Sequence, residues 1–474
     1  MSDRSRAAYA LSVIFAINAM NFFDRQIGGA LAEPIRKEWN LSDSALGALT
    51  TAFTLLYAFV GIPLGRLSDR ISRKRILGLA VFLWSLLTSF SAMARSYGQM
   101  FAARLGVGAG EAACAPAATS LIGDLFPPAR RARAMSVFML GLPIGIALSY
   151  LVSSFVAHTW GWRAAFFVAG IPGVFCAIAA LFIDEPARGM AEAPLTPSLS
   201  PQAGRGGSGE GPSPREAVRG RSSGEGPSPR EAGRGWSRGA GPGEGPWRTL
   251  LTIPTMWWLI LSGALHNFNM YALGSFLAPL LMRYHGATLR QAGLMSMLSF
   301  GLSGIPGLLI GGALADQLSQ RRKNGRLIVG AVSILISVPL LLLALRSPAH
   351  DTLWFVLPAA GGCMAMYVYY SSVYATLHDI VEPSLRGTAM AIYFFAMYVL
   401  GASFGPVATG MVSDLFTRKA AAAAGASILE PFRGQGLHSA MYLIPVLSTL
   451  LTLVLFAASR TVAGDMEKRD RGGS

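Results

Sequence analysis

Long apolar stretches separated by short polar loops fill most of the chain, and each stretch is about long enough to cross a membrane. A membrane-spanning helix needs about 20 mostly apolar residues. Helices are predicted because backbone polar groups in lipid must be satisfied within the segment, and the stretches are too long and continuous for barrel strands. Twelve spans are predicted, numbered in chain order: 8–32, 43–64, 76–94, 98–123, 134–157, 164–183, 254–281, 290–315, 327–346, 352–378, 388–414 and 437–459.

Between spans 6 and 7 the composition changes to Gly, Pro, Ser and Arg, and the stretch "SGEGPSPREA" occurs twice, at 208–217 and 223–232. A segment of this kind cannot bury a core and is expected to be a disordered linker. The predicted organisation is a six-helix bundle over 1–183, a linker over 184–250, a second six-helix bundle over 251–459 and a tail over 460–474.

Composition supports a membrane protein and argues against other classes. Of 474 residues, 52% are hydrophobic and 14% are charged, whereas soluble domains carry about 25% charged residues. The net charge of +15 does not indicate nucleic-acid binding, because the basic residues lie in short loops between apolar stretches. Cys114, Cys176 and Cys363 lie within apolar stretches without C-x-x-C spacing, so neither a disulfide framework nor a metal site is predicted.

The basic residues also predict orientation, because cytoplasmic loops carry an excess of Lys and Arg. The loops after spans 2, 4 and 8 contain basic clusters, for example at 73–75, 130–133 and 321–326. The opposite loops are sparser, with Arg95, Arg163 and Arg346. Both termini and the linker are therefore predicted to be cytoplasmic. The first apolar stretch is predicted to be an uncleaved helix rather than a signal peptide.

The two halves repeat in sequence. "GRLSDRISRKR" at 65–75 matches "GALADQLSQRR" at 312–322, and "PARRARAM" at 128–135 matches "PSLRGTAM" at 383–390. The two offsets are 247 and 255 residues, so the motifs indicate one duplication. Since both follow even-numbered spans, the halves have the same orientation, as in the parallel repeats of the major facilitator fold, whose site lies near the midplane.

The first of these loops resembles the signature loop of the major facilitators, roughly G-x-L-x-D-R-x-G-R-R, with Ser72 in place of a usual Gly. The resemblance implies a twelve-helix carrier in which this loop latches the cytoplasmic faces. It also implies that spans 5 and 11, with "GLPIG" at 141–145 and "GASFGP" at 401–406, lie between the halves. The predicted gating residues are Gly65, Asp69, Arg70, Arg73, Arg131, Asp316 and Arg386.

Few ionisable residues lie deep in the spans. Asp24 and Arg25 lie in span 1, Arg104 and Glu111 in span 4, and His266 in span 7. A charge in lipid costs about 2.5–3.5 kcal/mol on insertion scales, so such residues must face one another or a wet cavity. Asp24 and Arg104 are predicted at similar depth, so an ion pair between them is expected. Arg25 is the obvious cation for Glu111.

The residue types suggest roles. A buried carboxyl group can bind and release a proton, so Asp24 and Glu111 are predicted to carry a coupling proton. An arginine stays charged and binds anions in a bidentate manner, so Arg25 is predicted to hold an anionic group of the solute, with Arg104 beside it. The alternative is a permanent salt-bridge cluster that fixes spans 1 and 4.

The same residues refine the resemblance. "NFFDRQ" and "RLGVGAGEAACAP" are similar to the N-Y-x-D-R and R-x-x-x-G-x-G-E-A patterns of the spinster branch, with Phe22 in place of Tyr. The matching residues are Asn21, Asp24, Arg25, Arg104, Gly108, Gly110, Glu111 and Ala112. This resemblance implies a proton-driven carrier for a lysolipid-like solute. Organic-anion symporters of the superfamily also carry Asp-Arg in helix 1, which keeps a small carboxylate open.

The second half is more aromatic than charged. Tyr367, Tyr370 and Tyr374 are spaced to share one face of span 10, and span 7 offers His266, Asn267, Asn269 and Tyr271. They are predicted to line an amphiphilic half-site opposite the arginines, with ordinary helix packing as the alternative.

The sequence thus predicts an all-α membrane carrier that moves an anionic or amphiphilic organic solute, coupled to protons by symport, across a bacterial plasma membrane. It is predicted to act as a monomer without cofactor, metal or nucleic acid. The competing predictions are an organic-anion:proton symporter, a non-transporting membrane sensor and a membrane enzyme. The last lacks support, because no H-E-x-x-H, G-x-S-x-G or Walker motif occurs.

Overall fold

A computed structural model describes residues 3–68, 71–186, 246–349, 351–382 and 385–472, and every regular element in these ranges is helical. The repeats of the linker lie outside the described residues. The helices of the first half are Asp3–Ala30, Ala32–Trp39, Asp43–Ser68, Arg73–Ser91, Tyr97–Glu111, Cys114–Leu125 and Pro128–Leu181. Those of the second half are Pro246–Leu251, Pro254–Arg283, Leu289–Ser296, Gly304–Ser319, Gly325–Leu345, Thr352–Asp379, Arg386–Ala396, Phe404–Ala423, Arg433–Met441 and Leu443–Gly472.

The described residues contain twelve membrane-spanning helices, as the sequence predicts. Ten helical segments are long and apolar enough to cross a membrane. Pro128–Leu181 supplies two spans, because the chain reverses at Gly161, whose φ of 82° is readily adopted only by glycine. The 30-residue helix Pro254–Arg283 completes the set. π-helical turns at Met297–Leu302 and Met397–Ala402 interrupt spans 8 and 11, which both belong to the second half.

Two boundaries differ from the prediction. The linker was expected to reach residue 250, but Pro246–Leu251 already forms a helix. The last helix runs to Gly472 rather than ending near 459. Its extension is held in place because the Asp465 carboxylate accepts hydrogen bonds from the Thr255 backbone N–H (3.0 Å) and hydroxyl (2.6 Å) at the start of span 7.

The buried apolar residues form separate cores in the two halves. The first half contains one cluster around Trp84, Leu121 and Phe138 and another around Ile27 and Phe166. The second half contains a larger cluster that extends onto Tyr150 of span 5. Large apolar side chains on spans 3, 6, 9 and 12 are exposed instead, which is the arrangement expected of helices that face lipid.

Three pairs of helices make most of the contact between the halves in the described residues. Span 1 contacts span 7, span 2 contacts span 11, and span 5 contacts span 8. The glycines of spans 5 and 11 allow further close packing: Gly145 lies against the backbone of Ala19 in span 1, and Gly401 against that of Ala264 in span 7. The two contacts are equivalent in the duplicated halves.

This packing predicts that Gly145→Ala and Gly401→Ala are each destabilising, since a Cβ at either position would overlap a backbone carbonyl oxygen. Overpacking of this kind costs about 1–3 kcal/mol, so thermal unfolding of the purified variants should occur at lower temperature. Gly123→Ala is the control, because a Cβ there meets nothing within 4 Å. Equal unfolding temperatures for all three variants would contradict the close packing.

Candidate functional site

Arg25 and Glu111 form a buried ion pair at the centre of the first half. Glu111 ends the helix Tyr97–Glu111, and its Oε2 accepts hydrogen bonds from Arg25 Nε (3.0 Å) and Asn21 Nδ2 (2.8 Å). Asn21 and Arg25 are four residues apart on span 1 and therefore share a face. The Glu111 side chain is fully buried. The prediction left the partner of Arg25 open between Glu111 and a solute, and in this conformation the partner is Glu111.

The Arg25 guanidinium also reaches the second half. Its Nη1 donates to the hydroxyl of Tyr398 in span 11 (2.8 Å) and lies 3.4 Å from that of Tyr271 in span 7. The Tyr57 ring of span 2 lies 4.2 Å from the guanidinium carbon, a cation–π distance. Arg25 therefore connects a carboxylate of one half to two tyrosines of the other.

Asp24 and Arg104 meet differently from the prediction. Arg104 Nη2 donates to the backbone oxygen of Asp24 at 3.0 Å, and not to its carboxylate. Successive helix residues point about 100° apart, so the Asp24 carboxyl group turns away from Arg25 and faces Trp84 and Thr88 of span 3. Asp24 is 1% exposed. Asp24 and Arg104 lie at similar depth, but the Asp24 carboxylate and the Arg104 guanidinium do not share a hydrogen bond.

Aromatic residues form a wall in the second half. The His266 ring stacks on Tyr369 at 3.9 Å and meets the edge of Tyr370 at 4.8 Å. The Tyr369 hydroxyl bonds to Ser262 Oγ (2.7 Å) and the Tyr393 hydroxyl (2.9 Å). His266 is therefore fully buried among these rings.

The predicted tyrosine face of span 10 is continuous. Ring centroids are 6.1 Å apart for Tyr367 and Tyr370, and 5.6 Å apart for Tyr370 and Tyr374. Tyr370 and Tyr374 are half-buried, whereas Tyr367 is fully buried against Gly304 and Gly307 of span 8. Tyr367 therefore has a packing position in this conformation.

The two asparagines of span 7 bond inside their own half. Asn267 Nδ2 donates to the carbonyl of Gly263 one turn earlier (3.2 Å), and Asn269 Nδ2 donates to Ser448 Oγ of span 12 (3.1 Å). Tyr271, in contrast, points to Arg25.

Tyr57 and Tyr398 belong to the site, although the sequence analysis did not select them. Each contacts Arg25, and their rings lie 4.8 Å apart across the two halves. A usable signal was present for Tyr398, since the family resemblance places span 11 between the halves. Tyr57 had no comparable signal in the sequence.

A polar layer joins the halves directly beyond Arg25. Gln26 donates to the hydroxyl of Tyr150 (2.9 Å) and to the carbonyl of Gly274 in span 7. Thr50 and Ser275 share a hydroxyl hydrogen bond of 3.1 Å between spans 2 and 7. We call this set of contacts the inner layer.

A charged layer lies further out, at the end predicted to be extracytoplasmic. Arg283 of span 7 binds both oxygens of Asp43 (2.8 and 3.0 Å) and Glu33 (2.6 Å). Arg36 binds Glu33 and also Glu430 of the second half. The outer layer, formed by Glu33, Arg36, Asp43, Arg283, Asp414 and Glu430, thus connects the two halves.

Asp414 completes this layer by capping a helix of the other half. Its carboxylate accepts hydrogen bonds from the backbone N–H groups of Asp43 and Ser44, both at 3.0 Å, at the start of span 2. A carboxylate at a helix N-terminus is favourable because the first N–H groups have no partner within the helix.

A neighbouring ion pair at the same end stays within the first half. Arg163 donates two hydrogen bonds to Glu38, at 2.6 and 2.8 Å, and Trp162 Nε1 donates a third at 2.7 Å. The hydrogen bond from Arg163 holds the pKa of Glu38 below its ordinary value. This pair does not link the halves.

The predicted gating residues lie at the opposite end. Arg73 is buried and binds Asp124 of the first half and Glu185, which follows span 6 directly. Asp316 binds Arg326 (3.2 Å), which also binds Asp379, all in the second half. Asp69 and Arg70 lie outside the described residues, and Gly65 lies in the helix Asp43–Ser68.

The remaining two gating candidates bond to nearby carbonyls. Arg131 Nη2 donates to Gly123 (2.7 Å) and Arg386 Nε to His378 (3.2 Å). The latching role stays a prediction for the whole set.

Comparison with known proteins gives consistent matches. The model of the Major Facilitator Superfamily matches residues 14–406 and 259–472. An MFS-type efflux pump of Mycolicibacterium smegmatis is 29% identical over 87% of this chain and 86% of that protein. A probable L-galactonate transporter of Escherichia coli is 26% identical over 85% of this chain and 83% of that protein.

A solved structure is similar over nearly the whole chain. It is the inward-facing, unoccupied form of a bacterial homolog of the human lysosomal transporter spinster. The two chains are 26% identical, the alignment covers 97% of this chain and 98% of the other, and the TM-score is 0.77.

Proposed function

This chain belongs to the spinster-like branch of the Major Facilitator Superfamily, and we propose that it couples the movement of an anionic or amphiphilic organic solute to protons. It is a multi-pass membrane transporter and not an enzyme. The buried charges between the halves support both the coupling ion and the class of solute.

The Arg25–Glu111 pair carries the proposal. Glu111 accepts a hydrogen bond from Arg25 Nε, and Arg25 Nη1 donates one to the Tyr398 hydroxyl of the other half. Burial favours the neutral form of a carboxyl group, so Glu111 can take up a proton. Protonation removes the negative charge beside Arg25, and the guanidinium becomes available to an anionic solute. Proton binding and solute binding are linked in this way at one residue.

The shape of the solute is proposed from the two sides of the site. The first half offers Arg25, which suits a phosphate or carboxylate group. The second half offers the faces of Tyr370, Tyr374 and Tyr398, which suit an apolar body or a carbon chain. A lysolipid-like molecule has both parts, which supports an amphiphilic solute.

A second candidate is a small hydroxylated carboxylate carried with a proton. The similarity to the probable L-galactonate transporter favours it. The hydroxyl groups of Tyr57, Tyr271 and Tyr398 around Arg25 could bind the hydroxyl groups of such an acid. The two candidates differ in whether a chain of apolar carbons contributes to binding.

The conformation and location are part of the proposal. The contacts of the inner and outer layers close one end of the carrier. If the termini are cytoplasmic, as the basic loops predict, this is an inward-facing conformation, which the similarity to an inward-facing structure supports. We place the protein as a monomer in a bacterial plasma membrane.

A binding screen tests the solute class. Purified protein is heated with lysophosphatidic acid or with L-galactonate, and the unfolding temperature is followed. We expect lysophosphatidic acid to raise the unfolding temperature. Arg25→Lys should raise the half-saturating concentration of lysophosphatidic acid about tenfold, because Lys loses bidentate contact with the head group. Thr119→Ser, at a site away from Arg25, is the control. Stabilisation by L-galactonate alone would reject the amphiphile and favour the second candidate.

A further inference from the structure

A narrow cavity lies between Arg25 and the charged outer layer, and the mechanism above does not use it. Spans 1, 2, 4, 6 and 7 and the short helix Ala32–Trp39 form its walls, and we call it the outer cavity. Its polar lining comes from Arg25, Arg104, Thr50 and Ser275, and the rest is apolar apart from glycines such as Gly28. The lining residues that follow Arg25 in the sequence, beginning with Gly28, lie towards the outer end. The cavity is therefore on the outer side of Arg25.

The charge facing this cavity is positive. Two guanidinium groups line it, and no carboxylate is among its described lining residues. The carboxylates that balance them lie elsewhere: Glu111 binds Arg25 through Nε, and the Asp24 carboxyl group faces Trp84 and Thr88. Positive groups in surroundings of low dielectric constant attract an anion more strongly than they would in water.

One donor group of Arg104 is available for such an anion. Arg104 is 4% exposed, Nη2 donates to Asp24, and Nη1 has no hydrogen-bond partner among the described residues. Buried donors are nearly always satisfied. The hydroxyl groups of Thr50 and Ser275 share one hydrogen bond, which leaves one hydroxyl hydrogen free to donate.

We propose that the outer cavity is a binding site for a small monovalent anion of chloride size, held by Arg25, Arg104 and the Thr50–Ser275 hydroxyl pair. The size follows from the space, which admits a water-sized sphere but no organic head group with its attached body. Because the inner and outer layers enclose the cavity, the anion exchanges when the outer end opens. The site shares Arg25 with the proposed solute site but lies on its outer side, away from Glu111 and Tyr398.

A cavity-filling variant provides the test. A Cβ at Gly28 meets nothing within 4 Å and Gly28 lines the cavity, so the side chain of Gly28→Leu is expected to occupy it. Gly98→Leu is the matched control, since a Cβ there also meets nothing within 4 Å and Gly98 lies on the exposed start of span 4. The purified proteins are unfolded thermally in chloride, bromide or the larger methanesulfonate at constant ionic strength and without organic solute.

We expect chloride and bromide, but not methanesulfonate, to raise the unfolding temperature of the wild type and Gly98→Leu to a plateau. Gly28→Leu should lose this shift. Thr50→Val should raise the half-saturating chloride concentration about tenfold, the effect of losing one hydrogen bond to a charged group. Absence of a plateau in the wild type, or an equal plateau in Gly28→Leu, would overturn the proposal.

Bromide-soaked crystals of the wild type provide a second measurement if Gly28→Leu does not fold. An anomalous peak within hydrogen-bond distance of Arg25 and Arg104 supports the site. Saturating bromide without a peak there overturns it.

Discussion

Replacing Glu111 by Gln abolishes uptake driven by a pH gradient while exchange of solute between the two sides continues. This is the expected result if Glu111 carries the coupling proton. Glutamine has nearly the same shape and can still accept a hydrogen bond from Asn21, which lies 2.8 Å from Glu111 Oε2. It cannot gain or lose a proton near neutral pH, and it leaves Arg25 without its carboxylate.

The size of the effect follows from the burial of the pair. Removing one partner of a buried ion pair costs about 3–5 kcal/mol, because the other charge remains buried and unpaired. We therefore expect uptake into proteoliposomes under a pH gradient to fall at least about 100-fold. Counterflow at equal pH should change only a few-fold, because it needs no net proton movement.

Two further variants assign the coupling to a single carboxyl group. Asp24→Asn tests the other buried acid, whose carboxyl group faces span 3 rather than Arg25. Glu38→Gln is the control, because Glu38 lies at the outer end and binds Arg163 within the first half. Normal gradient-driven uptake by Glu111→Gln together with loss in Asp24→Asn would move the coupling role to Asp24. Normal uptake by both would favour a permanent salt-bridge cluster.

The sequence predicts features that depend on length and local pattern. The twelve spans follow from apolar length, and the family follows from short motifs such as "NFFDRQ". Asn21 and Arg25 share a face because they are four residues apart, and this much of the site is visible in the sequence. The direction of the Asp24 side chain is not, because a neighbouring residue points about 100° away and its partner depends on how spans 1 and 3 pack.

Contacts between distant parts of the chain account for most of what sequence reasoning missed. Tyr398 lies 373 residues from Arg25, and Glu430 lies 394 residues from Arg36. A periodic pattern reports which face of a helix is polar, and not which other helix covers it. The outer layer was missed for this reason, although each of its charged residues is visible as a polar position near a helix end.

The outer layer predicts a large conformational effect of one substitution. Asp43 is fully buried and accepts hydrogen bonds from Arg283 and from Ser413 (2.6 Å), both in the second half. Asp43→Asn removes the charge that balances Arg283 and weakens the closed outer end. Since breaking a buried pair costs about 3–5 kcal/mol, the population with an open outer end should rise at least about tenfold.

Cysteine labelling measures this population directly. Ser275→Cys places a thiol in the inner layer, in a background where Cys114, Cys176 and Cys363 are replaced by serine. A membrane-impermeant maleimide added at the outer face reacts only when the outer layer opens, so Asp43→Asn should accelerate labelling by the same factor.

The matched control separates opening from general destabilisation. Glu38→Gln breaks an ion pair at the same end, with N–O distances of 2.6 and 2.8 Å. However, Glu38 and Arg163 both belong to the first half. It should therefore leave the labelling rate unchanged. Equal acceleration by Glu38→Gln and Asp43→Asn would mean that the outer end loosens as a whole. In that case the charges between the halves would not be what holds this end closed.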